Sequence, residues 1–182
     1  MYPAIFIDRD GVIVENRPDY IRNWSDVLIY PQALQALYHI NNSPYKIVII
    51  TNQSAIGRGI ISMNSAEEIN LRLLEEIKTH GGRIDRIYMC PHSPQDECSC
   101  RKPAPGLFLQ AAEELCIDLP RSVMIGDAWS DLLAGQAAGV QKLVLVKTGR
   151  GKEQLLTPPP SGLISYLLYN NLYEVIHDLI PA

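Results

Sequence analysis

Ala4-Ile-Phe-Ile-Asp8-Arg-Asp10-Gly-Val12 is the stretch on which the fold turns. An unbroken apolar run rich in isoleucine fits a strand buried on both faces, as in a parallel sheet, and here it stops abruptly at two carboxylates and a glycine. Outward from it, short apolar, β-branched runs recur at residues 46–50, 83–89, 122–125 and 142–146. Helical patterns separate them. One opens at Pro31, a residue suited to a first helical turn, with Leu34, Leu37 and Tyr38 on one face. A second starts at Ser65-Ala-Glu-Glu68, a capping-box pattern, repeats Ile69, Leu73 and Ile77, and stops at Gly81-Gly82. A third runs from Pro105 through Leu107, Phe108, Ala111, Ala112 and Leu115, and a fourth from about Ser130 to Gly139. Residues 149–162, with Pro158-Pro-Pro160, read as a loop before a last edge strand and a closing helix, together spanning about 163–180. Alternating strands and helices predict an α/β protein, a Rossmann-like doubly wound parallel sheet, forming a single domain over residues 1–182.

The composition agrees. The 182 residues are 47% apolar and 20% charged, with 16 Lys plus Arg against 20 Asp plus Glu, a net charge of -4. A globular core is expected, and neither a disordered chain nor a basic surface for nucleic acid or anionic membrane is. The 4 cysteines are too few for a disulfide scaffold. With no signal-peptide core at the start and no apolar run of about 20 residues, a cytoplasmic protein is expected, working as a monomer.

Open parallel sheets bind ligands beyond the carboxyl ends of their strands, so those ends carry the functional reading. The first ends in Asp8-Arg-Asp10-Gly-Val, the second in Thr51-Asn-Gln-Ser54, the fourth in Gly126-Asp127-Ala-Trp-Ser-Asp131, and Arg101-Lys102-Pro103 precedes the third helix. Carboxylates gathered in a partly desolvated site repel one another unless a cation sits among them. Mg²⁺ is the hard ion that takes one or two carboxylates together with phosphate oxygens. In that setting Asp8 would attack phosphorus and form an aspartyl-phosphate, and Asp10 would act as acid and then base. Thr51, backbone N–H groups and Lys102 would hold the transferring phosphoryl group, Asp127 would complete the metal site, and Asp131 would be a nearby helper.

These four segments, in this order, resemble the four motifs of the haloacid dehalogenase (HAD) superfamily of phosphohydrolases, and the resemblance spans Ile5 to Asp131. It implies the HAD fold, Asp8 as nucleophile, Asp10 as acid and base, and Thr51 and Lys102 as phosphate ligands. It also implies Mg²⁺ held by Asp8, by Asp10 through its carbonyl, and by Asp127. A further segment, Cys90-Pro-His92-Ser-Pro-Gln-Asp-Glu-Cys98-Ser-Cys100-Arg101-Lys102, resembles the zinc loop of the group within that superfamily that contains heptose 1,7-bisphosphate and histidinol phosphatases. By residue chemistry alone, three thiols and an imidazole at residues 90–100 suit tetrahedral Zn²⁺, here structural. The stretch Thr51-Asn52-Gln53-Ser54-Ala-Ile-Gly-Arg58-Gly looks more like the heptose enzymes.

The resemblance implies a Mg²⁺-dependent phosphomonoester hydrolase of a small phosphorylated sugar, cutting heptose 1,7-bisphosphate at C7, with histidinol phosphate as the other substrate. Neither interval between motifs has room for a cap domain, so the flap residues Asn16, Arg17 and Tyr20, with Asn52, Gln53, Ser54, Arg58 and Arg101, are candidates for substrate binding. A phospho-accepting receiver domain also gathers acidic residues, a hydroxyl and a lysine at strand ends. The position of Lys102 ahead of Asp127, and the cysteine loop, argue for the enzyme. Cys116 is expected in the core, His39, His80 and His177 as packing or surface residues, and Trp24 and Trp129 as lids or anchors.

Overall fold

The structure is a computed structural model, and residues 1–180 are described. Six strands, all parallel, form one sheet in the order β3-β2-β1-β4-β5-β6. They are β1 (Ala4–Ile7), β2 (Lys46–Asn52), β3 (Arg86–Cys90), β4 (Val123–Gly126), β5 (Lys142–Val146) and β6 (Leu167–Tyr169). The helices are α1 (Pro31–His39), α2 (Ser54–Gly57), α3 (Met63–Thr79), α4 (Gly106–Leu115), α5 (Trp129–Ala138), α6 (Gly151–Gln154) and α7 (Leu172–Leu179). Because the chain builds outward in one direction through β2 and β3 and in the other through β4 to β6, the strand order reverses between β1 and β4. Ligand crevices in such sheets open at that point, and Asp8 and Asp127 follow directly on the two strands that flank it.

Alternation along β1 sorts the core into two layers. Ile5 and Ile7 join Leu37, Ile69, Leu73 and Leu172 on the face covered by α1, α3 and α7. Ala4 and Phe6 join Phe108, Ala111 and Leu132 on the face covered by α4 and α5. Phe108 is fully buried with its ring 4.9 Å from that of Phe6. Phe108→Ala is expected to remove about 3–5 kcal/mol of stability and to lower the melting temperature by roughly 10 °C, readable by thermal denaturation. A shift below about 3 °C would mean that this layer repacks.

The predicted strands and helices are present, with shifted ends. Helix α3 starts ahead of Ser65 because the Ser62 hydroxyl accepts the Ser65 N–H at 3.0 Å and caps the helix there. The last strand begins at Leu167 rather than near 163, since Gln136 takes up that loop's backbone groups, donating to the Gly162 carbonyl and accepting from the Ile164 N–H, both at 2.8 Å. The predicted loop at 149–162 holds the one-turn helix α6, and α2 was not foreseen. On α1 the buried residues are Ala33, Ala36 and Leu37, and Tyr38 lies in solvent. Cys116 is exposed rather than core: it follows the last residue of α4 in a left-handed conformation (φ 54°) that turns the chain out of the helix. His39 and His177 stack across α1 and α7 with centroids 6.0 Å apart, and Trp129 is buried against Tyr166. Between β1 and α1 the chain forms a flap with one 3-10 turn, Trp24–Asp26, and no described helix is long and apolar enough to cross a membrane.

Candidate active site

Asp8 leaves β1 with its N–H still bonded to the Ile125 carbonyl of β4, so the sheet itself fixes its backbone. Its Oδ1 accepts from Lys102 Nζ and from the Arg9 N–H, both at 2.8 Å. Lys102 Nζ also donates to the Ile50 carbonyl at 2.8 Å and lies 2.6 Å from Asp131 Oδ1. The lysine is placed by Asn52 at the end of β2: the Asn52 amide donates to the Lys102 carbonyl and accepts its N–H, both at 3.1 Å. Asp131, in the first turn of α5, accepts the Ala128 N–H at 3.0 Å with its other oxygen. Asp127 accepts from Asn16 Nδ2 at 2.6 Å and from the Arg150 N–H at 2.8 Å, and pairs with the Arg150 guanidinium at 3.4 Å.

The carboxylate oxygens of Asp8, Asp127 and Asp131 lie within 4.8 Å of one another, all buried. Two glycines line this floor in left-handed conformations: a Cβ on Gly11 (φ 91°) would sit 2.1 Å from an Asp127 oxygen, and one on Gly149 (φ 56°) at 2.2 Å. Burial pushes the Asp8 carboxyl up to about 8, opposed by Lys102 and reinforced by Asp131, Asp127 and Asp10. Asp127 is likewise raised, by burial first and then by Asp131, with Arg150 pulling the other way. For Lys102, burial works against the charge, but Asp131 and Asp8 outweigh it and hold the ammonium protonated. Three buried carboxylates facing the Lys102 ammonium and the Arg150 guanidinium still carry excess negative charge when all are ionised, on hard oxygen donors of the kind Mg²⁺ takes.

Above this floor opens a cavity of about 710 Å³. Asp8, Asp10, Asn52, Gln53, Ser54, Lys102 and Asp131 line it, and the flap residues Asn16, Arg17 and Tyr20, with Arg101, Arg150 and Glu153, form part of the wall. Thr51 lies just beneath, fully buried, its hydroxyl 3.4 Å from Asp10 Oδ2. Arg58 departs from expectation. It is the exposed residue closing α2, its N–H bonded back to the Ser54 carbonyl, and that turn takes it away from the cavity wall.

The cysteine loop closes as its composition suggested. Cys90, His92, Cys98 and Cys100 bring their ligand atoms within 4.8 Å of one another. Cys100 Sγ is 3.2 Å from Cys90 Sγ, 3.4 Å from Cys98 Sγ and 3.2 Å from His92 Nδ1. A zinc tetrahedron with bonds of about 2.3 Å has sulfur–sulfur edges of about 3.8 Å, so the donors need to part only slightly to receive the ion. Burial would raise the Cys98 thiol, but hydrogen bonds from Cys100 and Cys90 bring it down to about 7, while burial pushes Cys90 up to about 12. The loop reaches the cavity directly: Arg101 Nη1 donates to the His92 carbonyl at 3.2 Å, one residue before Lys102.

Three contributors were not foreseen: Arg9 and Asn70, fully or nearly buried behind Asp10, and Arg150 beside Asp127. Asn70 did carry a signal, since it shares the buried face of α3 with Ala66, Ile69, Leu73 and Ile77.

A strand-end aspartate bonded to a buried lysine, at the reversal point of a parallel sheet and under an open polar cavity, fits a phosphohydrolase of the HAD class. The HAD-hydrolase-like family matches residues 99–169. A D-glycero-β-D-manno-heptose-1,7-bisphosphate 7-phosphatase of Pseudomonas aeruginosa is 36% identical over 97% of both chains. One from Helicobacter pylori is 40% identical over 95% of this chain and 94% of its own. The crystal structure of a D,D-heptose 1,7-bisphosphate phosphatase from B. bronchiseptica, complexed with magnesium and phosphate, superposes with a TM-score of 0.90 at 31% identity, covering 97% of each chain. The chain belongs to the HAD-like hydrolases, among the relatives of these heptose bisphosphate phosphatases, and is a HAD-type phosphatase.

Proposed function

We propose that this chain hydrolyses the C7 phosphate of D-glycero-β-D-manno-heptose 1,7-bisphosphate through an aspartyl-phosphate on Asp8. The observation that carries the chemistry is the Lys102–Asp8 contact at 2.8 Å beneath the open cavity, which orients one carboxylate oxygen and leaves Oδ2 to attack. The sugar comes from the relatives that match nearly the whole chain.

In the first step Asp8 Oδ2 bonds to phosphorus, the bond to the sugar oxygen breaks, and its electron pair leaves on that oxygen, which takes a proton from Asp10. The charge of Lys102 and the backbone N–H groups at Asp10 and Asn52 meet the spreading charge of the phosphoryl oxygens. In the second step Asp10 takes a proton from water as the water oxygen bonds to phosphorus, releasing inorganic phosphate and restoring Asp8. Asp8, Asp127 and the Asp10 carbonyl, with Asp131 nearby, would hold Mg²⁺, which would supply charge neutralisation for the phosphoryl group. Cys90, His92, Cys98 and Cys100 would hold Zn²⁺, which would supply rigidity to the wall that carries Arg101 and Lys102. Arg101, Arg17 and Arg150 offer cationic forks to the remaining phosphate, while Asn52 and Gln53 act through the side chains they hold.

A substrate panel tests the assignment. With Mg²⁺, kcat/KM for the β-anomer of the bisphosphate is expected to exceed that for histidinol phosphate by about 100-fold or more, with phosphate released from C7. Higher activity on histidinol phosphate, or release from C1, would overturn it.

The raised Asp8 carboxyl gives a pH prediction. Because the folded pKa lies near 8 against an ordinary value of 3.8, the metal-free folded state binds more protons than the unfolded chain across that window, and stability falls as pH rises through it. Binding of a cation favours the ionised form, so Mg²⁺ affinity is expected to increase with pH up to about 8. Thermal shift with saturating and limiting Mg²⁺ reads this out: the rise in melting temperature should be larger at pH 8 than at pH 6, and a pH-independent rise would contradict it.

A further inference from the structure

Arg9 is among the largest fully buried side chains of the protein, with 2% exposure, at a position adjoining the reacting carboxylates. Its fork grips Asp10, Nε donating to Oδ2 and Nη2 to Oδ1, both at 3.1 Å. Its remaining arm, Nη1, donates to Asn70 Oδ1 at 2.8 Å. Asn70 is 8% exposed on the inner face of α3, and its own amide reaches Met89 Sδ on β3 at 3.7 Å. From the other side Gln53 Nε2 donates to Asp10 Oδ2 and to Thr51 Oγ1, both at 2.8 Å.

A guanidinium cannot lose its proton at ordinary pH, so burying one demands a carboxylate and full use of its donors. A buried ion pair is weak evidence for stability, since an apolar pair of similar volume often serves as well. This pair therefore calls for another explanation, and its geometry offers one: two parallel hydrogen bonds fix the plane of a carboxylate that would otherwise rotate about its side-chain torsions. A lysine could supply the charge but not the fork or the third bond to Asn70.

We propose that Arg9 is a positioning residue for Asp10, anchored to α3 through Asn70, and that the orientation it imposes is needed for proton delivery to the leaving oxygen. The proposal rests on the acid role assigned to Asp10 above. It makes α3, which contributes nothing to the cavity wall, part of what holds the acid in place.

The test compares two leaving groups, because nitrophenolate departs without a proton whereas a sugar alkoxide needs one. Here kcat/KM covers the steps through phosphoryl transfer to Asp8 and so isolates the acid role from the later base role. Asp10→Asn serves as reference and is expected to lose about 100-fold or more on heptose bisphosphate and less than about 5-fold on p-nitrophenyl phosphate. Arg9→Met is expected to follow the same pattern, with about 30-fold lost on the sugar substrate, Arg9→Lys to fail to restore it, and Asn70→Leu to show it at about 5-fold. Asn70→Leu leaves the strand end intact and decides the matter if Arg9→Met does not fold. If the Arg9 and Asn70 variants lower both substrates equally, or neither, while Asp10→Asn keeps its selectivity, the positioning role is wrong and the mechanism stands. If Asp10→Asn itself affects both substrates equally, the acid role fails and the proposal with it.

Discussion

Asp8→Asn is expected to lower kcat by about 10⁴-fold or more with every phosphate ester, because it removes the nucleophile and not a contact to the sugar. The amide can still accept from Lys102, whose ammonium also keeps Asp131 at 2.6 Å, so the cavity floor should survive. The stability readout runs in the opposite direction to the activity. Asp8 is a carboxyl that burial first, and then Asp131, Asp127 and Asp10, raise to about 8 against the pull of Lys102. A neutral amide escapes that penalty, so at pH 8 and without metal the variant should melt no lower than the parent protein. Loss of activity accompanied by a large drop in melting temperature would assign Asp8 a structural role instead.

The second large effect concerns the cysteine loop. Cys100 is the hub of the cluster, within 3.4 Å of both other thiols and of His92. Cys100→Ser is expected to reduce bound zinc from about one ion per chain to near none. Structural zinc contributes about 10–16 kcal/mol in isolated zinc fingers. A third of that would lower the melting temperature of a chain this size by about 10 °C or more. Arg101 hangs on the His92 carbonyl, and Lys102 follows it, so KM for the bisphosphate should rise as well. Metal analysis, calorimetry and kinetics on the same preparation check this. A zinc-free wild-type protein of unchanged stability would show that the loop needs no ion.

Much of the site was legible because its chemistry is concentrated at strand ends. A short isoleucine-rich run such as residues 4–7, cut off by charges and a glycine, favours a buried strand over a helix, and a carboxylate directly after such a strand emerges at the sheet edge. That rule put Asp8, Thr51 and Asp127 at the sheet edge, Lys102 was picked out by its place between the cysteine loop and the third helix, and the cysteine loop by donor chemistry. Asp131 proved more engaged than a helix-start carboxylate suggests, since it both caps α5 and pairs with Lys102. What stayed hidden depends on tertiary direction. Arg9 reads as a solvated charge in a turn, and only the packing of α3 behind β1 reveals that it is buried. Arg58 reads as a phosphate ligand, but the single turn of α2 ahead of it turns the chain away from the cavity. Cys116 continues an apolar helical spacing on paper, yet the helix ends one residue earlier. Arg150 sits in a stretch whose composition says loop, and its grip on Asp127 comes from the return of the chain after β5.

The central claim is that Asp8 carries the phosphoryl group between the two half-reactions. Rapid acid quench of Asp10→Asn turning over p-nitrophenyl phosphate, whose leaving group needs no proton so that only hydrolysis of the adduct is slowed, followed by peptide mapping, tests it most directly. The expected result is a phosphate adduct on the peptide bearing Asp8, formed at near one per chain and released by alkaline hydroxylamine as an acyl phosphate should be. Turnover with no adduct at Asp8, or an adduct on another side chain, would contradict the mechanism.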